Sequence, residues 1–265
     1  MADEVRLSDG FPSVSASVLV DGHVHRSTGP WTPAVQDLLR YLEKVGFEEA
    51  PRVAGSDEDG REVLTWVDGE APRVPWPPWM QTDDALVALG ALLRRYHDAV
   101  EGFVPSVDAT WRRWLGSPGG PIIRHGDLWP SNVIFWLGRP VAQIDWEFAQ
   151  PGTRLDDVAS AAKHWVPLIS DERATADGWR LPIDRVRRLR LLSDSYGLDD
   201  DARHALIPTV LRNAEFGYLS HKTWGEEGVP GFAEMWNEGS GAVILGDRAW
   251  LEQARADFEF LEADG

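Results

Sequence analysis

The chain has no cysteine, only three lysines (Lys44, Lys163, Lys222), and no apolar run long enough to cross a bilayer. Without cysteine there is no disulfide scaffold and no thiolate-bound zinc, which suits a reducing compartment. The start, MADEVRLSDG, lacks the basic-then-apolar layout of a signal peptide, so the expected location is the cytoplasm. Positive charge is also scarce. Against 43 Asp and Glu stand 26 Lys and Arg, a net charge of -17. Phosphate backbones demand basic surface, so no nucleic-acid partner is expected, and nothing marks a membrane partner. The same field attracts cationic small molecules at long range.

A length of 265 residues with 43% hydrophobic content is enough for one large domain or two modest lobes. The first part reads as a small α+β unit. Val14 to Val20 and His23 to Arg26 flank an Asp21-Gly22 step, which is a hairpin signal. Thr32 is a candidate cap and Pro33 a good first residue for a helix whose apolar stripe is Val35, Leu38, Leu39, Leu42 and Val45, stopped by Gly46. Arg61 to Val67 reads as a further strand. A proline-rich segment, Ala71 to Pro78, follows and argues against both helix and central strand. Beyond it a helix opens on Asp83 and Asp84, where negative charge suits the helix dipole. Helices are then expected over roughly 155–166, 182–196, 200–221 and 246–262. The organisation expected is an N-terminal lobe over 1–67, a hinge and proline-rich linker over 68–82, and a C-terminal lobe over 83–265.

Chemistry concentrates in IIRHGDLWPSNVIFWLGRPVAQIDWEFA, residues 122–149. Two β-type runs, Asn132 to Trp136 and Val141 to Trp146, surround Leu137-Gly138-Arg139-Pro140. A turn at Gly138-Arg139 sets Val133 opposite Ile144, Phe135 opposite Ala142, and Asn132 opposite Asp145. Directly opposed side chains lie about 5 Å apart. An amide oxygen and a carboxylate at that spacing suit magnesium, which takes few protein ligands and several phosphate or water oxygens. Asp127, five residues before Asn132, brings a second carboxylate to the same end, where it can accept the proton of a substrate hydroxyl.

His125-Gly126-Asp127, Asn132 and Ile144-Asp145-Trp146-Glu147 resemble the HGDxxxxN…IDWE signature of aminoglycoside phosphotransferases, choline kinases and their relatives. The resemblance implies a two-lobed, protein-kinase-like α+β fold, with a small β-rich N-lobe and a larger, mainly helical C-lobe. It implies Asp127 as catalytic base, Asn132 and Asp145 as magnesium ligands, His125 as a loop support, and Asp157 as the residue bracing the catalytic loop. ATP and magnesium are the implied cofactors, and a small-molecule hydroxyl is the implied acceptor.

The nucleotide half departs from that pattern. No lysine precedes Lys44, so Arg26 is the positional substitute for the strand lysine that holds phosphates. The helix segment that should supply its glutamate reads Ala34-Val35-Gln36-Asp37, leaving Asp37, or less favourably Glu43, as partner. The phosphate loop, Asp9 to Ser13, offers Gly10 and Ser13 but a single glycine. Thr65, Val67 and Ile144 are the positional candidates for contact with the nucleotide base. Two functions follow: an ATP- and magnesium-dependent phosphotransferase for a small-molecule hydroxyl such as an aminoglycoside or other cationic antibiotic, or a catalytically weak nucleotide-binding or immunity-type relative.

Overall fold

The computed structural model describes residues 4–7 and 17–262. The Asp9 to Ser13 segment, with Gly10 and Ser13, lies outside the described residues. The smaller lobe is an antiparallel sheet of order β1-β2-β3-β5-β4, formed by β1 (Val5–Arg6), β2 (Ser17–Val20), β3 (His23–Arg26), β4 (Val53–Ser56) and β5 (Glu62–Thr65). Asp21 and Gly22 both have positive φ, 47° and 75°, the type I′ pattern that matches strand twist and closes the β2–β3 hairpin.

Helix α1 (Thr32–Lys44) packs its Val35, Leu38, Leu39 and Leu42 stripe into the core, each fully buried. Burial of each is worth about 1.5–3 kcal/mol. Thr32 is not the cap. Trp31 holds that position, and the Thr32 hydroxyl accepts a bond from the Gly29 amide at 2.9 Å, so it closes the preceding turn instead. Gly46, at φ 80°, ends the helix as expected. Strand β4 carries no clear sequence signal, because its four residues, VAGS, are short, half-exposed and interrupted by Gly55.

The inter-lobe segment is pinned to the larger lobe. Glu70 and Phe135 exchange both backbone bonds at 2.9 Å. Gly69 sits at φ 139°, and a side chain there would collide with the Phe135 carbonyl and Ile134, so glycine is required. In the larger lobe, α2 (Asp83–Val100) packs on α5 (Arg185–Tyr196), and α3 (Arg154–Trp165) on α6 (Asp200–Glu226). Short α4 (Asp171–Ala176) and α7 (Phe232–Asn237), with α8 (Ser240–Gln253), complete the helical mass. Thr82 caps α2 by accepting from the Ala85 amide, as its place before Asp83 and Asp84 allows. The expected helix over 246–262 is instead the second half of α8 followed by a 3-10 segment, Arg255–Glu262. No helix among the described residues is long and apolar enough to cross a membrane.

Two small ladders carry the site. Strands β6 (Ile122–Arg124) and β9 (Gln150–Gly152) pair antiparallel, as do β7 (Val133–Trp136) and β8 (Arg139–Gln143). The β7–β8 hairpin forms, but one residue out of the expected register. Its turn is Leu137-Gly138, at φ 50° and 77°, and Val133 faces Gln143 while Ile134 faces Ala142. The ladder then slips, so that Phe135 faces Pro140. A proline cannot donate to a ladder, and a bulge beside it is the usual accommodation.

Candidate active site

With the register shifted, Asn132 and Asp145 are not opposed strand residues. Asn132 closes a 3-10 turn, Pro130–Asn132, and its carbonyl accepts from the Ile144 amide at 2.9 Å. Asp145 lies just past β8 in the left-handed region, φ 61° and ψ 64°. That unusual conformation swings the carboxylate out of the ladder and leaves its side chain 44% exposed.

The His125-Gly126-Asp127 loop leaves β6 and is held from below. Asp157, in the first turn of α3, accepts from the His125 amide at 2.7 Å and the Gly126 amide at 3.0 Å. His97 Nε2 bonds the same carboxylate at 3.2 Å, and His97 Nδ1 lies 2.8 Å from the Tyr196 hydroxyl. Burial opposes the charge on Asp157. The His97 bond, with the charges of His97, Arg124 and His125, nevertheless holds its carboxyl below the ordinary range. His125 is fully buried and spans the loop, with Nε2 on the Ile144 carbonyl at 3.0 Å and Nδ1 accepting from the Asp127 amide at 3.3 Å. Gly126 adopts φ 84°, and a side chain there would strike the Phe148 carbonyl.

Asp127 emerges from this brace. Asn132 Nδ2 donates to both its carbonyl and its Oδ2 at 3.0 Å. Burial, then the charges of Asp145 and Glu147, push the Asp127 carboxyl up to about 7, against the opposing effect of the Asn132 bond. Negative charge is therefore crowded at this end of the cleft. Because Asn132 spends its amide nitrogen on Asp127, its Oδ1 is the atom left to take a cation. Among the described residues no group of three or more His, Asp or Glu is arranged for a metal. One amide oxygen and one carboxylate still fit magnesium, whose remaining positions go to phosphate and water.

Arg26 supplies the opposing charge. At 6% exposure it is buried, and its Nη1 reaches Asp145 Oδ1 at 2.9 Å. Its Nε bonds Glu62, directly across the β3–β5 ladder and 1% exposed. The expected partners are thereby corrected. Asp37 is exposed and pairs with Arg40 at 3.2 Å, and Glu43 is exposed too, since that face of α1 points to solvent. From α1 only Gln36 approaches, with Nε2 at 3.4 Å from Glu62 Oε2.

A second buried arginine lies on the other side. Arg112 Nη1 meets Glu147 at 3.0 Å, and its guanidinium lies 4.6 Å from the Trp31 ring and 4.7 Å from Phe148. Trp224 and Phe232 complete the surround at 5.7 and 5.6 Å. Trp114 stacks on Phe148 at 4.4 Å and donates its Nε1 to the Gly126 carbonyl at 2.7 Å, which fixes this aromatic group beside the Asp127 loop.

A model of the phosphotransferase enzyme family matches residues 101–190, the stretch that holds this loop. The trifolitoxin immunity protein of Rhizobium leguminosarum bv. trifolii is 34% identical over 267 residues, covering 97% of this chain and 100% of that protein. The chain belongs to the phosphotransferase enzyme family. Its fold agrees with solved structures at low identity. The streptomycin–ATP complex of APH(2″)-IIa superposes with TM-score 0.56 at 13% identity, covering 85% of this chain and 86% of that one. A choline/ethanolamine kinase family protein from Mesorhizobium loti gives 0.57 at 14%, covering 98% and 88%. The two-lobed, protein-kinase-like architecture is thus shared.

Within this phosphotransferase-family fold, Arg26 is bonded to Asp145 and Asn132 to Asp127, and the charge of Asp145 acts on the Asp127 carboxyl. Thr65 is committed to the sheet, its hydroxyl accepting from the Arg52 amide at 2.8 Å and its own amide donating to the Arg52 carbonyl at 2.9 Å. Val67 follows on the inter-lobe segment, half-buried, and Ile144 is half-buried with its carbonyl taken by His125. Glu62 and Arg112 escape the sequence reading. Glu62 becomes visible only once the β3–β5 register sets it opposite Arg26. Arg112 sits in a stretch with no periodic pattern.

Proposed function

We propose that this chain is an ATP- and magnesium-dependent phosphotransferase that acts on the hydroxyl of a small molecule. The observation that carries the reading is Asp127, presented on a braced loop and held by Asn132, with Asp145 near enough for its charge to act on Asp127 and itself paired with Arg26. A carboxylate so placed can accept a hydroxyl proton while that oxygen bonds the γ-phosphorus and the bond to the ADP oxygen breaks. Arg26 binds phosphate oxygens through paired donors. Magnesium would be held by Asn132 Oδ1 and Asp145, and when bound it neutralises charge on the transferring phosphates. Residues up to 67, including Gly10, Ser13, Thr65 and Val67, would form the nucleotide-binding lobe together with Ile144. Residues 68–82 would link it to the catalytic and acceptor-binding lobe at 83–265.

The acceptor is a cationic small molecule, favoured by the net charge of -17. Solved relatives bound to streptomycin and gentamicin support testing aminoglycosides first. The same acidity argues against nucleic acid, and the protein would work in the cytoplasm. A second reading, an immunity-type protein that binds nucleotide with little turnover, is favoured by the name of the 34% identical relative and by Arg26 in place of lysine. A coupled ADP-release assay over aminoglycosides, aminocyclitols and amino alcohols separates the two. Acceptor-stimulated ADP release that disappears in Asp127→Ala supports the enzyme, and nucleotide binding without stimulated release by any acceptor supports the second reading.

A further inference from the structure

We infer that Arg26 is a two-armed anchor. Its Nε arm stays on Glu62, and its Nη1 arm passes from Asp145 to nucleotide phosphate, so a divalent ion is taken up at Asp145 only together with the nucleotide. This rests on the nucleotide-binding reading above and adds a positioning residue, Glu62, and an order of assembly to it.

The two arms differ in environment. Arg26 and Glu62 are direct cross-strand partners in the β3–β5 ladder, 6% and 1% exposed, so the Nε arm is fixed by the sheet itself. Helix α1 contributes only the neutral Gln36, at 3.4 Å from Glu62. The anchor is thus independent of any charge from that helix, and a shift of α1 would leave it in place. At the other arm, Asp145 stands on a left-handed residue beyond the end of β8 with its side chain 44% exposed. An ion pair with one solvated partner is weakly held and readily exchanged.

Charge decides what exchanges. A guanidinium 2.9 Å from Asp145 Oδ1 cancels the charge that would draw a dication and repels the ion itself. Phosphate oxygens offer the same guanidinium a stronger, bidentate partner. Once they draw Nη1 away, Asp145 regains a free carboxylate for the ion, and the phosphates add further oxygen ligands. Coupling of this kind is reciprocal: nucleotide must tighten the metal by the factor by which metal tightens nucleotide.

Manganese as probe, followed by the electron spin resonance signal of the free ion, tests this. Wild type should bind Mn2+ alone weakly. Arg26→Met/Glu62→Met, which swaps the buried pair for apolar residues of similar length, should bind Mn2+ alone at least roughly tenfold tighter. Adding Asp145→Asn to that background should remove the gain. Arg26→Gln, which leaves Glu62 a hydrogen-bond donor, serves if the double variant does not fold. In parallel, calorimetry of ADP with wild type should show binding that tightens with metal. Equal affinity of wild type and variant for Mn2+ alone overturns the inference while leaving nucleotide binding intact. ADP binding indifferent to metal also overturns it, since Arg26 would then stand permanently in the metal's place. No ADP binding under either condition removes the reading beneath it.

Discussion

Arg26 is set between Glu62 and Asp145 with its pKa raised: burial opposes the charge, and the carboxylates of Glu62, Asp145 and Glu147 restore it. Its removal should therefore be felt by phosphate and not by the base. Arg26→Ala is expected to weaken ATP roughly tenfold or more while adenosine is little changed, measured by calorimetry with both ligands. An equal loss for both would make Arg26 a structural residue only. In the proposed reaction Asp127 acts on the acceptor. Asp127→Ala should lower turnover by roughly 10²-fold or more with nucleotide affinity unchanged, once an acceptor is in hand. Unchanged turnover would remove its role as base. At this scale the sequence set Asn132 beside Asp127, and Asn132 Nδ2 does donate to that carboxylate, but it also set Asn132 opposite Asp145, whereas Asp145 lies past β8 and bonds Arg26. Glu62 was not legible, because a cross-strand partner 36 residues away becomes visible only once the strands are in register.

Among the elements, the β7–β8 hairpin shows why register is harder to read than strand identity. Both strands were evident from β-branched and aromatic residues. Their pairing was misjudged because Leu137 accepts positive φ beside Gly138, and Pro140 cannot join the ladder. A one-residue slip normally turns every side chain to the opposite face. Here the site survives because Asn132 and Asp145 sit in a turn and a left-handed kink outside the ladder. The α2–α3 junction is the other element that positions the chemistry. His97 joins Asp157 to Tyr196 in the buried interior, and Asp157 carries the two amides of the Asp127 loop. His97→Leu should cost about 1–3 kcal/mol in urea unfolding by leaving buried polar groups short of partners. The m-value should not change, and a loss below the measurement error would mean the loop is braced from elsewhere.

For the whole molecule, burial shifts several histidines in one direction. His125, His164 and His221 are all pushed down, foremost by burial, and His221 reaches about 4 with a smaller contribution from the charge of Lys163. A histidine whose folded pKa lies below its unfolded value of 6.5 binds fewer protons in the native state. Its contribution is fully present above pH 6.5 and is lost as pH falls toward 4. The histidine contribution to thermal stability should therefore fall across that window, opposed by Asp127, whose raised carboxyl gains a proton there. His221→Phe, which keeps the ring packed near Trp114 and Phe232, should lose less stability than wild type between pH 6.5 and 4. Identical slopes in the two proteins would show that His221 does not titrate with unfolding. The two-lobed division was legible in the sequence, from the proline-rich stretch after Glu70 and the change from strand to helix periodicity. The inter-lobe contact of Arg112 with Trp31 was not, since neither residue belongs to a periodic pattern.

The proposed function requires that Asp145 and Asn132 hold a divalent ion that binds with a nucleotide. Calorimetry of a non-hydrolysable ATP analogue, with and without magnesium, on wild type and Asp145→Asn tests it most directly. Magnesium should tighten binding to wild type by roughly tenfold or more, Asp145→Asn should lose most of this gain, and both proteins should unfold cooperatively. Equal magnesium-dependent binding by the two proteins, or no nucleotide binding by wild type, would contradict it.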